Sequence, residues 1–280
     1  MYQSTLESTV SLEGIGIHGG DRCRISVSPA QKDVGIVIIK GKDSIDAIYS
    51  NVFITALSTR LIGAHGSCVA TVEHLLAALY GLGITNAIIT TRNDEIPILD
   101  GSARQFVSEL LSAGIVIQQK RFRTLRVLKT VKVQDGEKWA SLSQSDSFSI
   151  NIKCDFNAKG LKTSPYSFDF SNNDFINEIA PARTFGFFSD VEFLRKNNLA
   201  LGASLENTIV FDDDGRLLNE TGFRLSQEPV RHKVLDIIGD LSLAKCAIMG
   251  RFDSFCPSHK MNNMVLRALF EKSDNYELTE

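Results

Sequence analysis

The sequence predicts an α+β fold in two tandem domains, on three observations. Short runs of alternating or clustered apolar residues, the pattern of strands, are separated by Gly, Pro and Asp. A few segments instead repeat their apolar residues at helical spacing. This order of strands and then helices occurs on both sides of one charged break, QQKRFRTLR at 118–126, and 280 residues with 43% hydrophobic content can bury two cores of ordinary size. The expected division is a domain over 1–118, a linker over 119–124, a second domain over 125–271 and a polar tail over 272–280 that reads as disordered.

Composition excludes several function classes. The 30 basic and 33 acidic residues give a net charge of -3 and are interspersed, so no nucleic-acid footprint is present. The start, MYQSTLESTVSLEG, has neither a basic region nor a long apolar run, and no stretch approaches the ~18 apolar residues of a membrane span. A cytoplasmic protein is expected. The five cysteines, at 23, 68, 154, 246 and 256, form no CxxC pair and are odd in number, which fits reduced thiols. Any metal would then be held by His and carboxylate.

Taken in order, residues 6–39 read as several strands and turns, with His18 at a strand end before Gly19 and Gly20, a loop histidine on pattern alone. Residues 46–67 are less regular. TVEHLLAALYGLG (71–83) is a helix with Val72, Leu75, Leu76 and Leu79 inward and Thr71 as its cap. Glu73 and His74 fall in its first turn, polar neighbours in an apolar segment, where burial demands partners. NAIITT is a strand, EIPILDGSA an extended run into an Asp-Gly turn, and ARQFVSELLSAG a helix capped by Ser102.

Beyond the break come strand-like runs at 125–133, 138–143, 147–156 and 165–170. ARTFGFFSDVEFLRKNNLALGAS (182–204) combines an aromatic strand with a helix opened by a Ser189–Glu192 capping box, its phenylalanines reading first as core. HKMNNMVLRALF (259–270) is the last helix. His259 sits at its N-terminal end, where the helix dipole disfavours an imidazolium unless a carboxylate compensates.

The stretch with the most chemistry is EPVRHKVLDIIGD (228–240). His232 and Asp236 lie one turn apart on one face of an amphipathic helix, with Asp240 a further turn on and Lys233 beside the histidine. Such a pair can be a surface ion pair or two ligands of a metal. Catalytic zinc takes three protein ligands and a water, and His74 is the candidate third, with the adjacent Glu73 a candidate general base.

Taken together, TVEHLLAALYGLG, EIPILDGSA, ARTFGF and VRHKVLDIIGDL, with GIGIHGG and SHKMNN at the two ends, resemble the UDP-3-O-acyl-N-acetylglucosamine deacetylases, zinc enzymes of lipid A biosynthesis in Gram-negative bacteria. The resemblance runs from Leu6 to Phe270. It implies two tandem α+β domains, each a layered sandwich of helices on sheets, with the active site between them. It implies the metal ligands His74, His232 and Asp236 for Zn2+, with Fe2+ an alternative occupant in the cell. Glu73 matches the general base that activates the attacking water, and His259 the residue that protonates the leaving amine. Asp240 matches the carboxylate that orients His259, and Thr184 the hydroxyl that steadies the oxyanion. The implied substrate contacts are Lys233, Asp155, Phe156, Phe185, Phe187, Val191, Ala200 and His18, with 185–204 as the insert that forms an acyl-chain passage.

The chain departs from that family pattern in two places. Cys256, Pro257 and Ser258 stand before His259, where a Lys or Arg and then Ser-Gly are usual; Asn157, Ala158 and Lys159 stand where Asn-His-Pro is common. The partner expected is a small UDP-sugar lipid bound by a monomer. Two other readings stay open: a metal-free acyltransferase, whose signature is also H-x-x-x-D, and a non-catalytic relative that binds a UDP-sugar or lipid.

Overall fold

The computed structural model describes residues 1–54, 57–156 and 160–280. Chain order in the first half is β1 (Tyr2–Leu6), β2 (Val10–Ile15), β3 (Arg22–Pro29), β4 (Ile36–Lys40), β5 (Asp43–Asp46), β6 (Val52–Ile54), β7 (Thr59–Ile62), β8 (Cys68–Ala70), α1 (Glu73–Gly81), β9 (Ala87–Thr91), α2 (Arg104–Ser112) and β10 (Ile115–Arg121). The second half follows with β11 (Thr124–Val127), β12 (Val131–Asp135), β13 (Lys138–Ser143), β14 (Phe148–Lys153), β15 (Tyr166–Asp169), α3 (Asn172–Asp174), β16 (Phe185–Phe187), α4 (Val191–Lys196), β17 (Ile209–Phe211), α5 (Glu228–Leu241), β18 (Ala247–Phe255), α6 (His259–Phe270) and β19 (Tyr276–Thr279). The α+β expectation holds.

Each half builds a mixed sheet. In the first the order is β2-β3-β9-β4-β5, with β4 and β9 parallel. In the second β18 is central, antiparallel to β13 and parallel to both β11 and β14. The alternation read in the sequence sets these faces: in β14, Phe148, Ile150 and Ile152 are buried while the residues between them are not. Buried apolar residues from both halves form one continuous core, from Leu6 to Leu269. No helix among the described residues is long and apolar enough to cross a membrane.

At the centre of that core α1 packs on α5 backbone to backbone. A Cβ at Gly239 would stand 2.1 Å from the Glu73 carbonyl oxygen, so only glycine fits. Gly239→Ala is therefore expected to push α1 away from α5 and cost about 3 kcal/mol of stability, read as a lowered urea midpoint. Expression at wild-type stability would show that the helices can separate without loss.

Several local expectations are corrected. The tail is not disordered: β19 pairs antiparallel with β11, Thr279 opposite Thr124, and Asn275 donates to the Ala268 and Leu269 carbonyls at the end of α6. Residues 46–67 are not irregular throughout, since β6, β7 and β8 form a three-stranded sheet. Thr71 does not cap α1; it has φ 58° and its hydroxyl donates to Glu95. Ser102 lies one residue before the N-cap of α2, and its hydroxyl accepts from the Arg104 N–H. α4 begins at Val191 with Asp190, not Ser189, as its N-cap. Residues 119–121 continue β10, which pairs with β1. A further helical stretch, Asn172–Ile179, carries no clear apolar period in the sequence; Ser171 opens it by accepting from the Asp174 N–H.

Candidate metal centre and active site

Helical spacing and the α1–α5 contact together place three ligand-bearing side chains at one point. His74, His232 and Asp236 are each buried, and their ligand atoms lie within 4.8 Å of one another. The Nε2 atoms of His74 and His232 stand 3.7 and 3.4 Å from Asp236 Oδ1. These separations suit the edge of a tetrahedron around a metal with bonds of about 2.1 Å. Asp236 Oδ1 is buried without a hydrogen-bond partner, which is costly unless something else satisfies it. The donor set and this orphaned oxygen fit a divalent cation.

The protonation of His232 and Asp236 suits that role. His232 Nδ1 lies 3.0 Å from the Ala182 carbonyl; a carbonyl accepts only, so Nδ1 carries the proton and Nε2 faces the cluster with a free lone pair. Burial pushes the His232 imidazole down to about 3, against the raising pull of Asp236, so it is neutral at physiological pH. Burial would raise the Asp236 carboxyl, but the Lys233 ammonium and the neighbouring imidazoles hold it well below the usual range. Lys233 Nζ donates to Asp236 Oδ2 at 2.8 Å, leaving Oδ1 for the cation.

Glu73 and His259 flank the trio from the two halves of the chain. Glu73 Oε2 accepts from the Thr59 N–H at 3.0 Å, and Oε1 stands 3.8 Å from His259 Nε2. Burial raises the Glu73 carboxyl, opposed by His259 and His74. For His259, burial lowers the imidazole, but the Asp240 and Glu73 carboxylates outweigh it and bring its pKa up to about 9. Its Nδ1 bonds Asp240 Oδ2 at 2.8 Å, supplying the carboxylate that the helix-end argument requires. Asp240 is itself fixed by the Thr59 hydroxyl and by Asn262 Nδ2.

The other expected residues surround this centre. Phe185 meets the His232 ring edge at 6.3 Å and lies under Lys233 Nζ at 5.5 Å. Phe156 packs on Phe185 and Phe187 at 5.3 and 6.1 Å, so one aromatic wall joins β16 to the end of β14. Core is the wrong reading for these phenylalanines: Phe185 and Phe187 are half-buried, and Phe188 and Phe193 are 61% and 68% exposed. Thr184 is held by its backbone, its N–H donating to Gly101 and its carbonyl accepting from Ile209. Gly101 has φ 83° and its missing Cβ would strike the Asn207 carbonyl at 1.9 Å, which supports the structural reading of the Asp-Gly turn.

His18 meets the insert. Its carbonyl accepts from the Leu201 N–H, just past the φ 54° turn at Ala200. Burial lowers its imidazole, Glu95 opposes this, and Arg60 and His259 add to the lowering; its Nδ1 is buried without a partner. Val191 opens α4 on the same insert, and Asp155 stands exposed just past β14. The departure at Asn157, Ala158 and Lys159 lies outside the described residues. A cavity of about 550 Å³ opens behind α1, lined by Leu79, Tyr80 and Phe148 among others, but none of these site residues lines it.

Four further residues hold the site and escaped the sequence reading. Glu228, fully buried at the start of α5, accepts from Arg183 Nε at 2.8 Å, from the Arg183 N–H and from the Arg224 N–H. That clamp fastens the segment 182–184, hence the Ala182 carbonyl that orients His232, to the helix carrying the ligands. Thr59 ties Asp240 to Glu73 through its hydroxyl and its N–H, and Asn262 holds Asp240 from α6. The available signal was adjacency: Glu228 opens the ligand helix and Arg183 lies inside ARTFGF.

Comparison with known proteins identifies the family. A UDP-3-O-acyl N-acetylglycosamine deacetylase (LpxC) family profile matches residues 3–271. A UDP-3-O-acyl-N-acetylglucosamine deacetylase of Psychrobacter sp. (strain PRwf-1) is 42% identical over 99% of this chain and 95% of its own length. Those of Shewanella sp. (strain W3-18-1) and Shewanella oneidensis are 43% and 42% identical, each over 99% of this chain and 92% of their own. By a match over nearly its whole length, the chain belongs to the UDP-3-O-acyl N-acetylglycosamine deacetylase family.

Proposed function

We propose that the protein removes the N-acetyl group of UDP-3-O-acyl-N-acetylglucosamine, giving acetate and UDP-3-O-acyl-glucosamine, an early step of lipid A biosynthesis. The observation that carries this is the buried trio His74, His232 and Asp236 with a carboxylate, Glu73, and an imidazole, His259, beside it. Zinc is the metal proposed, since two imidazoles and one carboxylate are a common catalytic zinc set, with Fe2+ able to use the same donors. When bound, it supplies Lewis-acid polarisation of the amide carbonyl and of the attacking water.

The residues divide the remaining work. Glu73 takes the proton from water as it attacks, its basicity raised by burial. Thr184 offers its hydroxyl to the developing oxyanion. His259, protonated at neutral pH, passes its Nε2 proton to the departing amine, and Asp240 on Nδ1 holds the ring in that orientation. Lys233 neutralises Asp236 and is partly exposed towards the aromatic wall, where Asp155, Phe156, Phe185 and Phe187 are proposed to meet the nucleotide and acyl portions. Val191 and Ala200 are assigned to the acyl passage on the insert, and His18 to a substrate contact beside it. Both halves of the site come from one chain, which supports a monomeric unit; its setting is proposed to be the cytoplasm.

The metal-free acyltransferase reading accounts for His232 and Asp236 but leaves the buried Glu73 and His74 beside them without a task. The decisive test is acetate release from UDP-3-O-acyl-N-acetylglucosamine with and without a chelator. Activity should vanish with the metal and return with added zinc; turnover that survives complete metal removal would overturn the mechanism, and absence of turnover in zinc-loaded protein would favour a non-catalytic binder.

The raised imidazole predicts a pH profile. A general acid raised from 6.5 to about 9 is protonated through neutral pH, so kcat/KM should fall only as pH rises through about 9. Asp240→Asn removes the anion that raises it and should bring the basic limb down by about one unit or more, with zinc content unchanged. An unmoved basic limb would show that His259 is not the group titrating there.

A further inference from the structure

Cys154 and Cys256 form a pair that nothing in the proposed chemistry uses. β14 and β18 run parallel, with Lys153 opposite Phe255 as their last matched residues, so Cys154 and Cys256 are the next positions on the two strands. Cys256 is pinned there: its N–H donates to the Lys153 carbonyl at 2.8 Å, and its Sγ accepts from the Asp155 N–H at 3.3 Å. The peptide groups on both sides of Cys154 therefore touch Cys256. Its φ of 52° turns the chain out of β18 and lays the sulfur over the end of β14. Neighbouring strands stand about 4.8 Å apart, inside the ~4.4–6.8 Å Cα separation of disulfides.

Both cysteines are free, Cys154 is 4% exposed and Cys256 is half-buried, so a small soluble oxidant meets Cys256 first. The ends they would join both lead to the site. β14 runs into Asp155 and into Phe156, which packs on Phe185 and Phe187. Cys256 leads through Pro257 to Ser258, whose hydroxyl accepts from Met261 N–H at the start of α6, and to His259. Of the other three cysteines, Cys23 and Cys68 lie on strands of the first half, and Cys246 precedes β18 at its opposite end.

We infer that Cys154 and Cys256 are a redox-modification site, at which a peroxide oxidant closes a disulfide that clamps the end of β14, leading into Asp155 and Phe156, to the segment carrying His259. The Cys256 thiolate attacks one oxygen of hydrogen peroxide: an S–O bond forms, the O–O bond breaks, and hydroxide leaves to be protonated to water. The Cys154 thiol then attacks the sulfenic sulfur: the S–S bond forms, the S–O bond breaks, and the hydroxyl departs as water with the thiol proton. The two sulfurs together lose two electrons, which peroxide accepts.

The bond itself is independent of the deacetylase reading, whereas its effect on turnover rests on it, and the experiment separates the two. Zinc-loaded protein is treated with hydrogen peroxide, digested without reductant and mapped by mass spectrometry, in parallel with Cys154→Ser and Cys256→Ser. A linked pair of peptides containing Cys154 and Cys256, lighter by two hydrogen atoms and separated by dithiothreitol, is expected in the parent alone. Peptides that stay unlinked with Cys256 as sulfinic acid, or that link to another cysteine, overturn the site. In the linked enzyme KM should rise about threefold or more and recover with dithiothreitol, at unchanged zinc content. An unchanged KM in fully linked enzyme overturns the coupling to the site while leaving the deacetylase reading intact.

Discussion

Glu73→Ala is expected to keep its bound zinc and lose roughly 10²–10⁴-fold in kcat, with KM little changed, the range for removing a general base. Glu73 stands outside the ligand trio, so the trio survives its loss. Its Oε2 accepts the buried Thr59 N–H, however, and alanine leaves that donor without its partner. Glu73→Gln restores an acceptor without restoring a base and should be nearly as inactive, which separates lost chemistry from local unfolding. Metal analysis with steady-state kinetics makes the check; full turnover in either variant would remove Glu73 from the mechanism.

Asp236→Ala should abolish both metal binding and turnover. It deletes the one anionic ligand and leaves two imidazoles facing each other edge to face at 4.9 Å. It also strips Lys233 of its close partner, so a largely buried ammonium takes the place of a neutralised pair, and its repulsion opposes any cation that enters. Zinc affinity should fall by more than about 100-fold, the upper end for losing merely an outer partner of a ligand. Competition with a chromogenic chelator measures this. Near-normal affinity would mean that the cation sits elsewhere.

The pH behaviour of stability follows from the same charges. His259 is raised in the folded chain, so its contribution is fully present below its ordinary value of 6.5 and is lost as pH rises through about 9. Asp236 is depressed, so its contribution is present above the ordinary carboxylate value of 3.8 and is lost as pH falls below it. In the absence of metal, folding should therefore weaken at both ends of the pH range.

How much was legible depended on range. The helices α1, α5 and α6 were readable because their apolar residues recur at 3.6 spacing, and β14 because its apolar residues alternate. The tail was misread because KSDNYELTE is polar, and its strand exists through backbone pairing to β11, which side-chain composition does not report. The phenylalanines of 185–193 were misread as core because hydrophobicity states a preference for burial, while the fold decides which apolar side chains find cover. Glu228 and Arg183 went unread because each looks like an ordinary surface charge until the other is placed against it.

By itself the sequence determined the one-turn spacing of His232 and Asp236, the polar Glu73-His74 pair in an apolar helix, and, by resemblance, the family that joins them. Only the tertiary structure decided that α1 and α5 touch at Gly239, and thereby that the His74 ligand atom converges within 4.8 Å on those of His232 and Asp236, more than 150 positions later. It alone set the imidazole of His259 between two carboxylates and Cys154 beside Cys256. The physical reason is distance: helical and strand periodicity act over a few residues, whereas ligand geometry, shifted protonation and thiol proximity depend on which surfaces pack together.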